Sequence, residues 1–348
     1  MSSMPNRGHS QLRVRRLFLL LGLAAALTGC LRGVPPCSDQ QEWCAGLVTD
    51  FGSVDQGINE QAWLALEDAK AGGILERIDR IETVDSRDRS ANIAAFAQQG
   101  YDIVVTVGSS IADETTSAAT QYPETAFIGV EQYQQAVTPN LAGLVFHEEQ
   151  SGFLAGALAA EMTQTGQIGA VCEAKFIDSI RRYCEGFRAG ATATDPTVRI
   201  LVAYRDGSTE NVFQDPAWGR AAADDEVDQG VDVLLAAGGA TADAALAEAA
   251  ARRTMVIATE VDAYSRLESV RRMLLTSAIN DIRGGVGALL RSARDGRLPA
   301  GNYFGQVELA PFHALDSQVP ASVVSRLARI REDLTTGRFQ IEVPYVNP

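Results

Sequence analysis

Histidine is scarce: His9, His147 and His313 are the three in 348 residues. The five cysteines include no CxxC pair, the spacing that zinc and dithiol redox sites use. "HEEQS" (His147 to Ser151) begins like the zincin motif HExxH but has no second histidine. Neither GxGxxG nor GxxxxGK[ST] occurs, so a dinucleotide or mononucleotide phosphate cradle is unsupported. No G-x-S-x-G elbow is present. Basic residues form no long patch beyond the first sixteen positions, and the net charge is -14 with a pI near 4.7. An acidic surface argues against a nucleic-acid partner. Even the strongly apolar run near the N-terminus is too short to span a bilayer.

That run is informative in its setting. Arg13, Arg15 and Arg16 precede "LFLLLGLAAALTGC", giving the charged start, short apolar core and small-residue end of a signal segment over 1–29. "LTGC" (Leu27 to Cys30) resembles a bacterial lipoprotein box, in which Cys30 is lipidated and becomes the N-terminus. Residues 30–44 then form a lipidated end and tether, held at a membrane surface without a spanning helix. The other cysteines are Cys37, Cys44, Cys172 and Cys184. Their spacing predicts two local clips, Cys37–Cys44 and Cys172–Cys184, in an oxidising compartment, with four free thiols as the alternative.

From Leu47 onward strand-like and helical segments alternate, in two blocks of roughly 45–145 and 165–260 with a remainder. Such alternation predicts an α/β protein with parallel sheets covered by helices. Two open sheets give two crevices at the C-terminal ends of their strands, and facing lobes would merge them into one cleft. At 348 residues, two domains are the natural expectation.

Functional residues should therefore follow strands. Those positions hold Asp50, Ser109, Glu131, Tyr204-Arg205-Asp206, Gly239, Glu260, Asp262 and the Thr276-Ser277 pair. Carboxylates and hydroxyls there suit a neutral polyol or a cation, because a carboxylate accepts paired hydrogen bonds from a diol. Phe51, Trp63, Tyr204, Phe213, Trp218 and Tyr264 are the nearby aromatics, available for stacking or for core packing. Phe213 and Trp218 share the loop "ENVFQDPAWG" with Asp215. Asp50 with Asp55 could instead form an acid–base couple of a nucleoside hydrolase.

Five stretches in order carry a resemblance. They are Asp50-x-Gly52-x-x-Asp55-Gln56-x-Ile58-Asn59, "FHEEQSGFLAGALAA", "IDSIRRYCEGFRAGA", "VDVLLAAGGATADAAL" and "LLTSAINDI". Together, from about Leu47 to Leu309, they resemble the basic membrane lipoproteins, the PnrA-like substrate-binding proteins of bacterial ABC importers. The resemblance implies a periplasmic-binding-protein type I fold. Two Rossmann-like lobes, joined by three crossovers, would close on a small molecule such as a purine nucleoside. It implies an ABC permease as partner, a monomer with no cofactor and no catalysis, and a place at the outer face of the cytoplasmic membrane or in the periplasm. A membrane-linked ligand sensor is the alternative binding role. Lobes of 45–145 plus 262–290 and of 146–261 plus 291–345 are expected.

The resemblance also implies that Asp50 and Asn59 contact the ligand. Phe213 would supply a stacking ring from the far lobe, and Glu260 or Asp262 would hold a ribose. Two positions depart from the family: Ile58 stands where a base-stacking ring is usual, and Asn280 stands for a lysine. Phe51 or Trp63 could supply the missing ring.

Overall fold

β1 (Cys44–Thr49) is buried along its whole length, as expected of a central strand covered on both faces. It opens a computed structural model that describes residues 1, 34–37, 42–55, 57–205, 211–341 and 343. Cys30 with its leader, Gln56 and Asp206 lie outside the described residues.

After β1 come α1 (Gly57–Ala71), β2 (Arg77–Ile81), α2 (Arg89–Gln98), β3 (Ile103–Val107), α3 (Ala112–Gln121), β4 (Ala126–Val130) and β5 (Leu141–Val145). The chain continues through α4 (Glu148–Met162), β6 (Gln167–Cys172), α5 (Asp178–Thr194), β7 (Arg199–Tyr204), α6 (Pro216–Asp228), β8 (Val233–Ala237), α7 (Gly239–Ala251) and β9 (Met255–Glu260). It ends with the single turn α8 (Ala263–Arg266), then β10 (Leu274–Asn280), α9 (Ile282–Arg294), β11 (Gly301–Phe304), β12 (Val307–Leu309) and α10 (Ala321–Thr335).

The strands form two six-stranded sheets, β11-β5-β4-β3-β1-β2 and β12-β10-β9-β8-β6-β7. The order is the same in both, and every pairing is parallel except β12 with β10. Apolar clusters cover both faces of each sheet. The chain passes between the sheets after β5, after β10 and after β11.

The lobe boundaries need correction in the last third. The expectation put 262–290 in the first lobe, yet β10 pairs with β9 in the second sheet. Only α9 returns, because Ile282, Val286, Leu289 and Leu290 complete the core of the first sheet. Likewise β11 (within 291–345) pairs with β5 in the first sheet. Thr276 and Ser277, read as post-strand residues, are buried inside β10. Both disulfides pair as the spacing predicts, Cys37–Cys44 and Cys172–Cys184. The second staples α5 to the end of β6.

Helix α4 is apolar nearly all round, the mark of a helix enclosed by protein. Its neighbour α5 lies so close that a Cβ at Gly152 or Gly156 would fall on the Tyr183 or Phe187 carbonyl. Gly186 and Gly190 face the Glu149 and Phe153 carbonyls in the same way. Two glycine pairs, each four residues apart, thus bring two backbones into contact.

One buried acid lies away from the crevice ends. Glu226 of α6 is 4% exposed, and its carboxyl sits over Gly169. Burial pushes that carboxyl up to about 8, against the Ala203 and Ala170 amides that lower it. A carboxyl raised in the folded state stabilises fully below its unfolded value, and the contribution is lost as pH rises through about 8. Glu226→Gln is therefore expected to raise Tm at pH 8.5 by about 2–4 °C and to flatten the dependence between pH 5 and 8.5. An unchanged slope in a pH series of thermal melts would rule Glu226 out as its source.

Candidate functional site

In both sheets the strand order reverses beside the first strand, where α/β sheets open a crevice. Asp50 follows β1, and its N–H donates to the Val107 carbonyl at 2.8 Å. Glu173 follows β6 in the same way, donating to Ala237 at 2.9 Å. Gly108 and Gly238 end the neighbouring strands with φ of 114° and 123°, and a Cβ on either would strike the Asp50 or Glu173 side chain. Each acid is ion-paired, Asp50 with Arg89 and Glu173 with Arg205. The lobes differ in access: the Asp50 side chain is 16% exposed and that of Glu173 is 0% exposed. Arg89 and Glu173 were absent from the sequence-based candidates. Glu173 is an acid directly after a strand, so the rule that selected Asp50 would have found it.

A cavity of about 410 Å³ lies between the lobes. The start of α1, Gly57 and Ile58, forms one wall. The far wall comes from the ends of β8 and β9, with Gly239, Thr259, Glu260 and Arg266. A smaller space of about 150 Å³ continues past Asp262 and Asn280. The structure thus brings Ile58, Gly239 and Glu260 onto one cavity, with Asp262 and Asn280 on its neighbour.

Polar groups of both lobes meet around Asn280. Glu131 follows β4 and Glu260 ends β9, the fourth strands of their sheets. Both have left-handed backbones, φ 60° and 72°, a conformation that costs free energy in a non-glycine residue. The Glu131 carboxyl is held well above its ordinary range by burial, then by the charges of Glu260 and Glu148. Burial also raises Glu260, with Arg266 opposing and Asp243 adding to the shift. Glu148 is raised to about 7 by burial, despite Arg182. Arg182 is 2% exposed, donates to Glu148 at 3.0 Å and ion-pairs with Glu149. Its neighbour Tyr183 donates to the Asn280 Oδ1 at 2.8 Å. The sequence-based candidates did not include Glu148, Arg182, Tyr183 or Arg266; the glutamate pair of "FHEEQS" was the available signal.

Other predicted residues are occupied within the protein. Asn59 donates to the Phe51 and Ser53 carbonyls at 3.0 and 3.1 Å, closing the loop after β1. Asp215 caps α6 by accepting from the Trp218 amide. Asp262 caps α8 and pairs with His313 at 2.7 Å. The Phe213 carbonyl accepts from Ala240 at the start of α7, and the side chain packs on the second lobe's core. Ser109 is exposed just after β3. Asp55 is exposed and accepts a hydrogen bond from Ser53. Asp50 is ion-paired with Arg89.

The aromatics divide similarly. Trp63 packs on the first lobe's core beneath Arg80, and Tyr264 stacks on His313. Trp218 packs on the second lobe's core, and the Tyr204 hydroxyl donates to Glu185. Phe51 is 67% exposed on the loop that Asn59 closes.

Comparison with known proteins agrees with this architecture. Two solute-binding proteins of ABC transporter systems share the fold. That of Aeropyrum pernix K1 has a TM-score of 0.72 at 18% identity, covering 87% of this chain and 94% of that one. That of Conexibacter woesei has a TM-score of 0.69 at 22% identity, covering 86% and 98%. Among curated relatives, the ABC transporter nucleoside-binding protein BmpA of Lactococcus lactis is 25% identical over 321 residues, 85% of this chain and 88% of its own length. The sequence model of the PnrA-like ABC transporter substrate-binding proteins matches residues 45–304. The chain, with its two like-ordered sheets and the cavity between them, belongs to the PnrA-like family of ABC transporter substrate-binding proteins.

Proposed function

We propose that this protein is the lipid-anchored receptor of an ABC importer, capturing a nucleoside-sized, polar-aromatic ligand between its lobes. Capture is by hinge closure, without chemistry on the ligand. The observation that carries the reading is the interlobe cavity, whose 410 Å³ falls within the range of small-molecule sites. Both lobes line it, so a bound ligand favours the closed state. Ile58, Gly239 and Glu260 contact the ligand in this reading, with Glu131 and Asn280 behind them. Asp50 at the end of β1, with Ser109 and Phe213, joins these contacts in this reading. Asn59, Asp215 and Asp262 act one step back, by shaping the loops that carry the contacts. Cys30 bears the lipid that holds the protein beside its permease, at the outer face of the cytoplasmic membrane.

The test is native mass spectrometry of the soluble form, followed by calorimetry with adenosine, guanosine, inosine, uridine and riboflavin. At least one compound is expected to bind at micromolar Kd or tighter and to be recovered unchanged. Asp50→Ala is expected to weaken that binding at least tenfold, about 1.4 kcal/mol. Hydrolysis of the bound compound would contradict the receptor reading, and undiminished affinity would remove Asp50 from the site.

A further inference from the structure

The interlobe cavity has an apolar wall of Ile58, Ala236, Leu246 and Ala258. Its polar side chains all come from the second lobe: Gln214, Asp243, Thr259, Glu260 and Arg266. Three of these are engaged within the protein. Arg266 is bidentate to Asp243, and the Thr259 hydroxyl donates to the Ala236 carbonyl at 3.3 Å. Gln214 is different. It is exposed at the cavity wall, and its carboxamide has no hydrogen-bond partner among the described residues.

The backbone that carries Gln214 is nevertheless tightly held. The Gln214 N–H donates to the Asn211 carbonyl at 2.8 Å. On one side the Phe213 carbonyl accepts from Ala240 at 2.9 Å, and on the other the Asp215 N–H donates to the Thr241 Oγ1 at 3.0 Å. Both partners lie in the first turn of α7. Asn211 and Phe213 have left-handed backbones, φ 56° and 64°, and a Cβ on Gly239 would strike Phe213. A bulky residue keeps such a backbone only where its surroundings enforce it, and enforced strain gathers at functional sites. Phe213 packs on the second lobe's core and Asp215 caps α6. Gln214, between them, is the residue that this stitched loop presents to the cavity.

We infer that Gln214 sets specificity by reading the ligand's ring: its carboxamide makes paired hydrogen bonds to one edge of a planar heterocycle lying on the apolar wall. This rests on the receptor reading above and deepens it. A carboxamide places an acceptor beside donors. That pattern complements a ring carbonyl beside a ring N–H, as in hypoxanthine, guanine and uracil. Turned over, it complements an amino group beside a ring nitrogen, as in adenine. A ring without such a pair leaves the amide unpaired once the lobes close, which costs free energy.

The experiment is calorimetry with adenosine, inosine, guanosine, riboflavin and purine riboside, which has adenosine's ring without the amino group. Adenosine or inosine is expected to bind about tenfold more tightly than purine riboside. Gln214→Met keeps the length of the side chain and removes the amide; it should bring adenosine and inosine down to purine riboside and leave purine riboside unmoved. Riboflavin, whose ring carries the same N–H and carbonyl pair, should follow inosine. Gln214→Glu offers two acceptors, which match the adjacent N1–H and 2-amino donors of guanine, so the preference for guanosine over inosine should rise about tenfold. Gln214→Met binding every compound as tightly as the unchanged protein, or a guanosine-to-inosine ratio unmoved by Gln214→Glu, overturns this inference and leaves the receptor reading standing. Failure of every compound to bind the unchanged protein overturns both.

Discussion

Arg182→Met is expected to destabilise the protein by about 3–5 kcal/mol, the usual cost of leaving a buried charge without its partner. The guanidinium is 2% exposed and pairs with both Glu148 and Glu149. Methionine keeps the apolar stem and removes the charge. Glu148 already titrates near 7 with the arginine present. Without it the carboxyl rises further. A raised carboxyl loses its stabilising contribution as pH increases, so the deficit should be larger at pH 8.5 than at pH 5.5. Urea titrations at both values measure this. Adding Glu148→Gln and Glu149→Gln should recover much of the loss. A deficit below 1 kcal/mol at both pH values would show that these acids are not held by Arg182.

Gly156→Leu should act as strongly, by another cause. At Gly156 the obstacle is the Phe187 carbonyl, with the Ala191 amide behind it. Backbone atoms of a packed helix cannot rotate away as a side chain can. Overpacking in cores costs about 1–3 kcal/mol when side chains can adjust, and here α4 and α5 would have to separate. The expected outcome is a loss above 3 kcal/mol or failure to recover soluble protein, with Gly156→Ala intermediate. Gly287→Ala is the control: it lies in α9 with only the end of the Arg291 side chain nearby. That change is expected to be neutral or to stabilise by about 0.5–1 kcal/mol. Equal losses at the two sites would contradict backbone contact as the cause.

Much of the candidate site was legible because strand ends are legible. Asp50, Glu131, Gly239 and Glu260 each follow or end a buried apolar run, and topology brings such positions to one face. Their roles were less visible. Asp215, Asp262 and Asn59 carry the side chains expected of ligand contacts, yet they cap helices or close a loop. Local capping uses the same residue types as recognition. Arg89 and Arg182 were hidden because an arginine on a helix reads as solvated until its partner from another element is known. β2 and β11 carry little strand signal in sequence. β2 alternates charge (Arg77, Asp79, Arg80) at a sheet edge, and β11 has four residues.

By itself the sequence determined the alternation of strand and helix, the two repeated blocks, the disulfide pairs and the family motifs. These depend on periodicity and spacing, which are local. Tertiary structure decided which sheet each late element joins, since β10 and α9 adjoin in the chain yet pack in different lobes. It also decided which buried acids come near one another. Glu131 and Glu260 are far apart in sequence, and electrostatic energy depends on distance in space and on burial. Only folding places the two acids together beside an asparagine.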